Sequence, residues 1–479
     1  MPMTKQKEFK FKPRIINPKK IRKAVIFSAE EQVRTSSKTL RKNMPWIKIR
    51  LMNDPLSASN YESKRAIVFI FDDTALTLVD TDKIRRDNQD AVIILFSSLD
   101  FIQSSPPETA QQKYTYTSKA DLVFAVSKGE FSPDNIISAA VRSAEDLINI
   151  KKYSKAKRYI FLIVDDEPRW FSQFLPVLYN IIGQRADVKI TRAYEETLQF
   201  LFGVDKESKI NPEKYHSAGK GDDIICLITD LTFPKAHQLD NQAGKKLIDL
   251  TRKYHPRIPI IVASKAKTAA GLKDTAFTLP KGDPGSLDTL AKYIHDFTGM
   301  GDFLISTKTG EELFRLSNIH DLYAVILEAE KETKKAKQLR ILLEEYGEKD
   351  AFSTWLYMHS FRELGDILRP LHVEGRDLIA LLKQQFKKEI QRTKYTPLNI
   401  EEYKINDLSS LLKLLRTIEP EKIQKFTDTD IFSSWLDRKG YTGLAEDIRP
   451  IHGKGTEFVE TLADHVEKWI EIYRAKNKI

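Results

Sequence analysis

YIFLIVDDEP, residues 159–168, is an apolar, β-branched-rich run that stops on three acids and a proline. Its first six residues do not alternate with polar ones, so they read as a strand buried on both faces, as in parallel sheets covered by helices. A helical stretch follows, PRWFSQFLPVLYNIIG (168–183), and the pattern continues through VKITRAY (188–194), IICLITD (224–230), IPIIVAS (258–264), FTLPK (277–281) and a last helix, SLDTLAKYIHDF (286–297). Five strands and about five helices in roughly 130 residues predict an α/β domain over 155–300. The polar segment VDKESKINPEKYHSAGKGDD (204–223) is an insertion before the third strand.

The same order stands upstream. KAVIF (23–27), a helical EEQVRTSSKTLRK (30–42), WIKIRLM (46–52), AIVFIF (66–71), AVIILF (91–96) and DLVFAV (121–126) lead to an amphipathic SPDNIISAAVRSAEDLINI (132–150). Ser132 is placed as its N-cap and Pro133 as its first residue. A second five-stranded α/β domain is expected over 21–152. Residues 1–20 are basic and broken by Pro2, Pro13 and Pro18, a flexible arm.

After residue 300 the strand-like runs stop and the chain reads as helical and duplicated. FSTWLYMHSFRELGDILRPLH (352–372) aligns with FSSWLDRKGYTGLAEDIRPIH (432–452) at a constant offset of 80 residues, and NIHDLYAVIL (318–327) echoes KINDLSSLLKLL (404–415). Two all-α repeats are expected, 301–395 and 396–479. Phe352, Trp355, Leu356, Leu364, Ile367 and Leu368 share one face and read as core, as do Phe432, Trp435 and Leu436. Arg369-Pro370 and Arg449-Pro450 mark helix ends, and His372 and His452 after them read as structural histidines.

The chain has 479 residues and a net charge of +10, but residues 1–50 hold 15 Lys/Arg against 3 Asp/Glu. The rest carries 62 basic and 64 acidic side chains, so the basicity belongs to the N-terminal arm. Its sparse aromatic interleaving, Phe9 and Phe11, favours a solvated tail over a nucleic-acid tether. The single cysteine, Cys226, excludes an internal disulfide. No stretch approaches the ~18 apolar residues of a membrane span, so a soluble, cytoplasmic protein is expected.

In an open α/β sheet, reactive groups collect at the carboxyl ends of the strands. The second domain puts Asp165, Asp166 and Glu167 after its first strand, Asp230 after its third, Ser264 at the end of its fourth and Lys281 after its fifth. Clustered carboxylates are costly unless a cation neutralises them, and hard oxygen ligands suit Mg²⁺. Such a site suits the receipt of a phosphoryl group. Asp230 serves as carboxylate nucleophile, the metal and Lys281 neutralise charge on the phosphoryl oxygens, and Ser264 hydrogen-bonds the product.

In that order and on those strands, VDDEP, LITDL, PIIVAS and LPK resemble the receiver domain of two-component response regulators. The resemblance covers about residues 157–299 and implies a flavodoxin-like fold. It implies Asp230 as phosphoacceptor, Asp165 and Asp166 as the acidic metal pair, and the backbone carbonyl of Thr232 as a further metal ligand. Ser264 is the switch hydroxyl and Lys281 the family's lysine. Thr278 stands where receivers often carry an aromatic switch residue, with Phe277 one place off. The first domain looks like a degenerate copy: Ser28 and Ala29 replace the acidic pair, while Asp72, Ser97 and Lys128 match the other positions. Without the acids it reads as a pseudo-receiver serving as a contact surface.

The FS-x-WL…RP pattern also looks like a helical element accompanying receivers in bacterial proteins related to phosphoenolpyruvate synthase. Nothing resembles the ATP-binding or phosphohistidine domains of those enzymes, so no enzymatic activity beyond autodephosphorylation is expected. Implied partners are a histidine kinase or phosphotransfer protein upstream and a protein partner for the helical region downstream. Monomer and homodimer both fit. The rival readings are a phosphorylation-independent scaffold and a nucleic-acid binder acting through residues 1–50, although no DNA-binding module follows the receiver.

Overall fold

The computed structural model describes residues 21–28, 31, 34, 37, 44, 47–61, 67–88, 90–97, 119–125, 133–152, 159–204, 219–264, 277–283, 285–307, 310–369, 371, 373–427, 430–451 and 455–476. The basic arm, Ala29, Lys128, Ser132, Pro370, His372, His452 and most of the 204–223 insertion lie outside them. So does most of the helix expected over 30–42, of which Glu31, Arg34 and Ser37 are described and helical. The chain divides into two compact units, 17–291 and 292–479.

The first unit holds two parallel five-stranded sheets. One comprises β1 (Lys23–Phe27), β2 (Lys48–Leu51), β3 (Ile67–Asp72), β4 (Ala91–Ser97) and β5 (Leu122–Ala125), in the order β2-β1-β3-β4-β5. The other takes the same winding. From β6 (Tyr159–Val164), β7 (Ala186–Thr191), β8 (Ile224–Thr229), β11 (Ile260–Ser264) and β12 (Phe277–Pro280) it builds the order β7-β6-β8-β11-β12. Both are flavodoxin-like doubly wound sheets, with the switch point between the first and third strands. All six residues of β8 are buried, as an unbroken apolar run requires.

Helix Pro133–Lys152 lies between the two sheets and is buried nearly all round. Its Glu145 accepts from the Ile21 N–H at 2.8 Å. Its Asp146 accepts from the Tyr179 hydroxyl at 2.9 Å and the Val188 N–H at 3.0 Å, beside β7 of the second sheet. Arg142 lies over the Tyr179 ring at 4.3 Å. The exposed edge of β5 is covered too, because the Val123 N–H donates to Ser172 Oγ at 3.1 Å.

Two features depart from the sequence pattern. The helix expected over 168–183 is broken into Pro168–Phe171 and Phe174–Ile182. Pro176 has no N–H to offer the carbonyl of Ser172, four residues back, and Leu175 bonds that carbonyl with tighter three-residue spacing instead. Directly after Asp230, a hairpin of β9 (Phe233–Lys235) and β10 (Gln238–Asp240) precedes the helix Ala243–Tyr254. Its two-residue turn puts Ala236 and His237 at φ 50° and 63°, left-handed values that such turns demand.

The second unit consists of two helical repeats, and each also opens on a two-stranded hairpin. In the first, β13 (Phe303–Ser306) and β14 (Glu312–Leu316) precede five helices ending with Gly375–Lys394. In the second, β15 (Leu398–Ile400) and β16 (Tyr403–Ile405) precede five ending with Gly455–Ala475. Each repeat has its own core, containing Phe352, Trp355, Leu356, Leu364 and Leu368, or Phe432, Trp435, Leu436 and Leu444. The hairpins belong to those cores: Phe303 stacks on Phe352 at 5.1 Å and meets Trp355 edge-on at 6.0 Å. Ile367, expected in the core, is instead 43% exposed. The buried row of its short helix runs through Leu364, Gly365 and Leu368, and the second repeat carries Asp447 at the position equivalent to Ile367.

The repeats meet through charge. His359, stacked on Trp355 at 4.3 Å, puts Nδ1 3.0 Å from Asp437 Oδ1 and Nε2 2.9 Å from the Gly301 carbonyl. Arg438 donates to the Ser360 carbonyl at 2.8 Å and pairs with Glu389 at 2.9 Å. Lys439 donates to the Lys394 carbonyl at 2.8 Å. Behind them Arg449 is fully buried among Asp430, Asp437 and Glu446.

Candidate functional site

The carboxyl ends of β6, β8, β11 and β12 bring four of the expected residues to one place. The Lys281 ammonium lies 2.6 Å from Asp165 Oδ2 and also donates to Asp230 Oδ2. Asp165 and Lys281 are almost completely buried, while Asp230 keeps a side-chain exposure of 13%. Ser264 joins through the backbone, its carbonyl accepting from the Lys281 N–H at 3.1 Å. Asp166 is half-buried beside Asp165, and Thr232 lies two residues past Asp230 before β9.

Each acid is oriented by the chain around it. Asp230 Oδ1 accepts from the Leu231 N–H at 2.6 Å, and its own N–H donates to the Val164 carbonyl at 2.9 Å, tying β8 to β6. Asp165 Oδ1 accepts from the Glu167 N–H at 3.0 Å, and Glu167 is held by the Trp170 indole N–H at 3.0 Å. Helix Ala243–Tyr254 approaches so closely that a Cβ at Gly244 would stand 2.2 Å from the Asp230 carbonyl oxygen.

Burial pushes the Asp165 carboxyl up to about 7, against the pull of the Lys281 ammonium and with the repulsion of Asp230. Lys281 also moves upward, for a different reason. Burial alone would lower it, but the two carboxylates outweigh that and hold the ammonium above its ordinary value. Lys281 is therefore a buried cation that holds together two strand-end carboxylates, one buried and one partly exposed.

The donor set suits a hard cation. Asp165 Oδ2 is buried with the Lys281 ammonium 2.6 Å away, a carboxylate oxygen already held toward positive charge. Mg²⁺ is commonly held by one or two carboxylates with waters completing its shell. Asp165, Asp166 and Asp230 with the Thr232 carbonyl supply hard oxygens, although among the described residues no three His, Cys, Asp or Glu side chains already gather as a metal cluster.

The corresponding end of the first sheet is committed otherwise. Asp72 Oδ1 caps the helix Asp73–Thr77, accepting from the Ala75 N–H at 2.8 Å. Ser97 Oγ donates to the neighbouring Asp73 at 2.7 Å. The Ser28 carbonyl accepts from Arg34 at 3.3 Å.

No protein-family model matches the chain, and no curated protein matches it by sequence. Among solved structures it is similar to two proteins described as two-component system response regulator/GGDEF domain proteins. Identities are 15% and 13%, covering 57% of this chain and 98% and 97% of theirs, with TM-scores of 0.26 and 0.24. A sugar binding protein from Salmonella typhimurium LT2 matches at 11% identity and TM-score 0.20, over 57% of this chain and 88% of its own. Likenesses this slight carry no functional weight, so the functional reading rests on the site. Among the described residues no helix is long and apolar enough to cross a membrane.

Proposed function

We propose that this chain is a response-regulator-type signalling protein that receives a phosphoryl group on Asp230 from a histidine kinase or phosphotransfer protein. The observation that carries the reading is the ion-paired triangle of Asp165, Asp230 and Lys281 at the switch point of a 2-1-3-4-5 sheet, with Ser264 on the adjoining strand. The partly exposed Asp230 carboxylate attacks phosphorus, the phosphorus–nitrogen bond of a phosphohistidine donor breaks, and the imidazole takes up a proton. Mg²⁺ held by Asp165, Asp166, Asp230 and the Thr232 carbonyl would supply charge neutralisation at the phosphoryl oxygens. Lys281 follows the developing charge from the Asp230 carboxylate to the phosphoryl oxygens, and Ser264 donates to one of them. The first α/β domain serves as a contact module, its strand-end Asp72 and Ser97 being engaged locally, and the helical repeats bind the downstream protein.

The test is intact mass after incubation with acetyl phosphate and Mg²⁺, beside Asp230→Ala. The reading expects a gain of ~80 Da in the parent only. An unmodified parent under both acetyl phosphate and phosphoramidate would favour a phosphorylation-independent scaffold.

A further inference from the structure

Arg192 follows the last residue of β7 and takes no part in the triangle of Asp165, Asp230 and Lys281. On one side its Nη2 donates to the Asp121 carbonyl at 2.7 Å and the Ala120 carbonyl at 3.4 Å, in the segment of the first α/β domain that enters β5. That segment is itself held firmly. The Asp121 carboxylate accepts from the Ile93 N–H at 2.8 Å and pairs with Arg85 at 2.8 Å, and Arg85 also reaches the Lys119 carbonyl at 3.2 Å.

On its other side Arg192 faces the acidic end of the second sheet. Its guanidinium lies 5.5 Å over the ring of Phe171, in the helix that follows the acidic pair, and besides the stronger charges of Asp121, Arg85 and Glu196 it feels that of Asp166. The backbone brings it there, because the Thr191 carbonyl accepts from the Asp165 N–H at 3.1 Å. One cation is thus fixed by the first domain within the field of a carboxylate of the second.

We propose that Arg192 is a positioning residue that couples the acidic site to the first α/β domain. A cation bound at Asp165 and Asp166 loosens the contact of Arg192 with residues 120–121, and loss of that contact tightens cation binding. This rests on the receiver reading, which supplies the cation. The physical reason is that a dication offsets the negative charge of the acids, so the pull of Asp166 that helps hold the guanidinium beside residues 120–121 is cancelled. Coupling between two binding events is reciprocal, so each must oppose the other by the same factor.

The experiment uses the full chain, calorimetric titration with MgCl₂ at constant ionic strength, and hydrogen exchange over residues 119–125 with and without Mg²⁺. In the parent, Mg²⁺ is expected to speed exchange there. In Arg192→Gln exchange is already fast and Mg²⁺ adds nothing, while the Mg²⁺ dissociation constant falls about three- to tenfold, the range one partly exposed charge produces. Arg192→Lys, which keeps the charge, stays within about twofold of the parent. Mg²⁺ binding in the parent with unchanged exchange at 119–125, or an Arg192→Gln constant equal to the parent's, overturns the coupling and leaves the receiver reading standing. Absence of any Mg²⁺ binding overturns both.

Discussion

Asp165→Asn removes a carboxylate that the fold holds at a cost, and the cost can be read from its pH dependence. In the unfolded chain this group titrates near the ordinary aspartate value of 3.8, and in the folded protein burial moves it up to about 7. A folded-state value above the unfolded one means that the native state binds the proton more tightly. The associated stability is therefore fully present below about pH 4 and is lost as pH rises through about 7. At ~1.36 kcal/mol per pH unit the gap corresponds to about 4 kcal/mol, an upper bound because water entering the site lowers the cost of burying charge. Asparagine does not titrate, keeps an oxygen for the Glu167 N–H, and leaves Lys281 its partner Asp230. Urea unfolding of parent and variant in EDTA, from pH 4 to pH 8, should show Asp165→Asn gaining on the parent with rising pH and levelling off above 7. Parallel stability curves, or a gap that closes as pH rises, would refute the reasoning.

Lys281→Met leaves Asp165 and Asp230 without their counter-charge. It should destabilise the chain by about 3–5 kcal/mol at pH 8 and by clearly less at pH 5, where Asp165 accepts a proton, as denaturant midpoints at the two pH values will show. Gly244→Ala drives a methyl into the Asp230 carbonyl, so acetyl-phosphate labelling of Asp230 should slow at least tenfold while circular dichroism changes little. Asp146→Ala strands the Tyr179 hydroxyl and the Val188 N–H, at about 2–4 kcal/mol by denaturant unfolding, with amide exchange rising first in β7. Replacing Ala236-His237 by Asn-Gly supplies residues that accept left-handed φ and should raise stability by about 1 kcal/mol, measurable as a higher melting temperature.

The parts of the site legible in the sequence share a physical cause. Asp165, Asp230 and Ser264 each end an apolar run and Lys281 follows the short strand Phe277–Pro280, and a parallel sheet delivers strand ends to one edge without regard to the loops between them. Arg192 ends the run VKIT in the same way and could have been found by the same criterion, but a basic residue beside a strand ordinarily reads as solvated surface. The hairpin Phe233–Asp240 left no such trace. Its strands are three residues long, Pro234 lies within one, and Ala-His lacks the glycine or asparagine that announces a tight turn. The hairpin opening the second repeat, Leu398–Ile405, was hidden by the same brevity, and in the one opening the first repeat the strand Glu312–Leu316 is largely exposed and carries no buried run. In the repeats themselves the constant 80-residue offset exposed the cores, whereas Ile367 looked apolar in one copy and only its counterpart Asp447 marked the position as surface.

The charged junction between the repeats bears on how far such an arrangement can grow. Asp437, Arg438 and Lys439 of the second repeat engage His359, Ser360, Glu389 and Lys394 of the first, whereas the residues equivalent to Asp437 and Arg438 in the first repeat are the uncharged Tyr357 and Met358. Plug and socket thus differ, although the copies descend from one pattern. A repeat of the first kind has no charged plug to offer a further socket, so the two copies have one permitted sequence of joining, and stacking more copies of the first kind in the manner of a solenoid is blocked at the first joint.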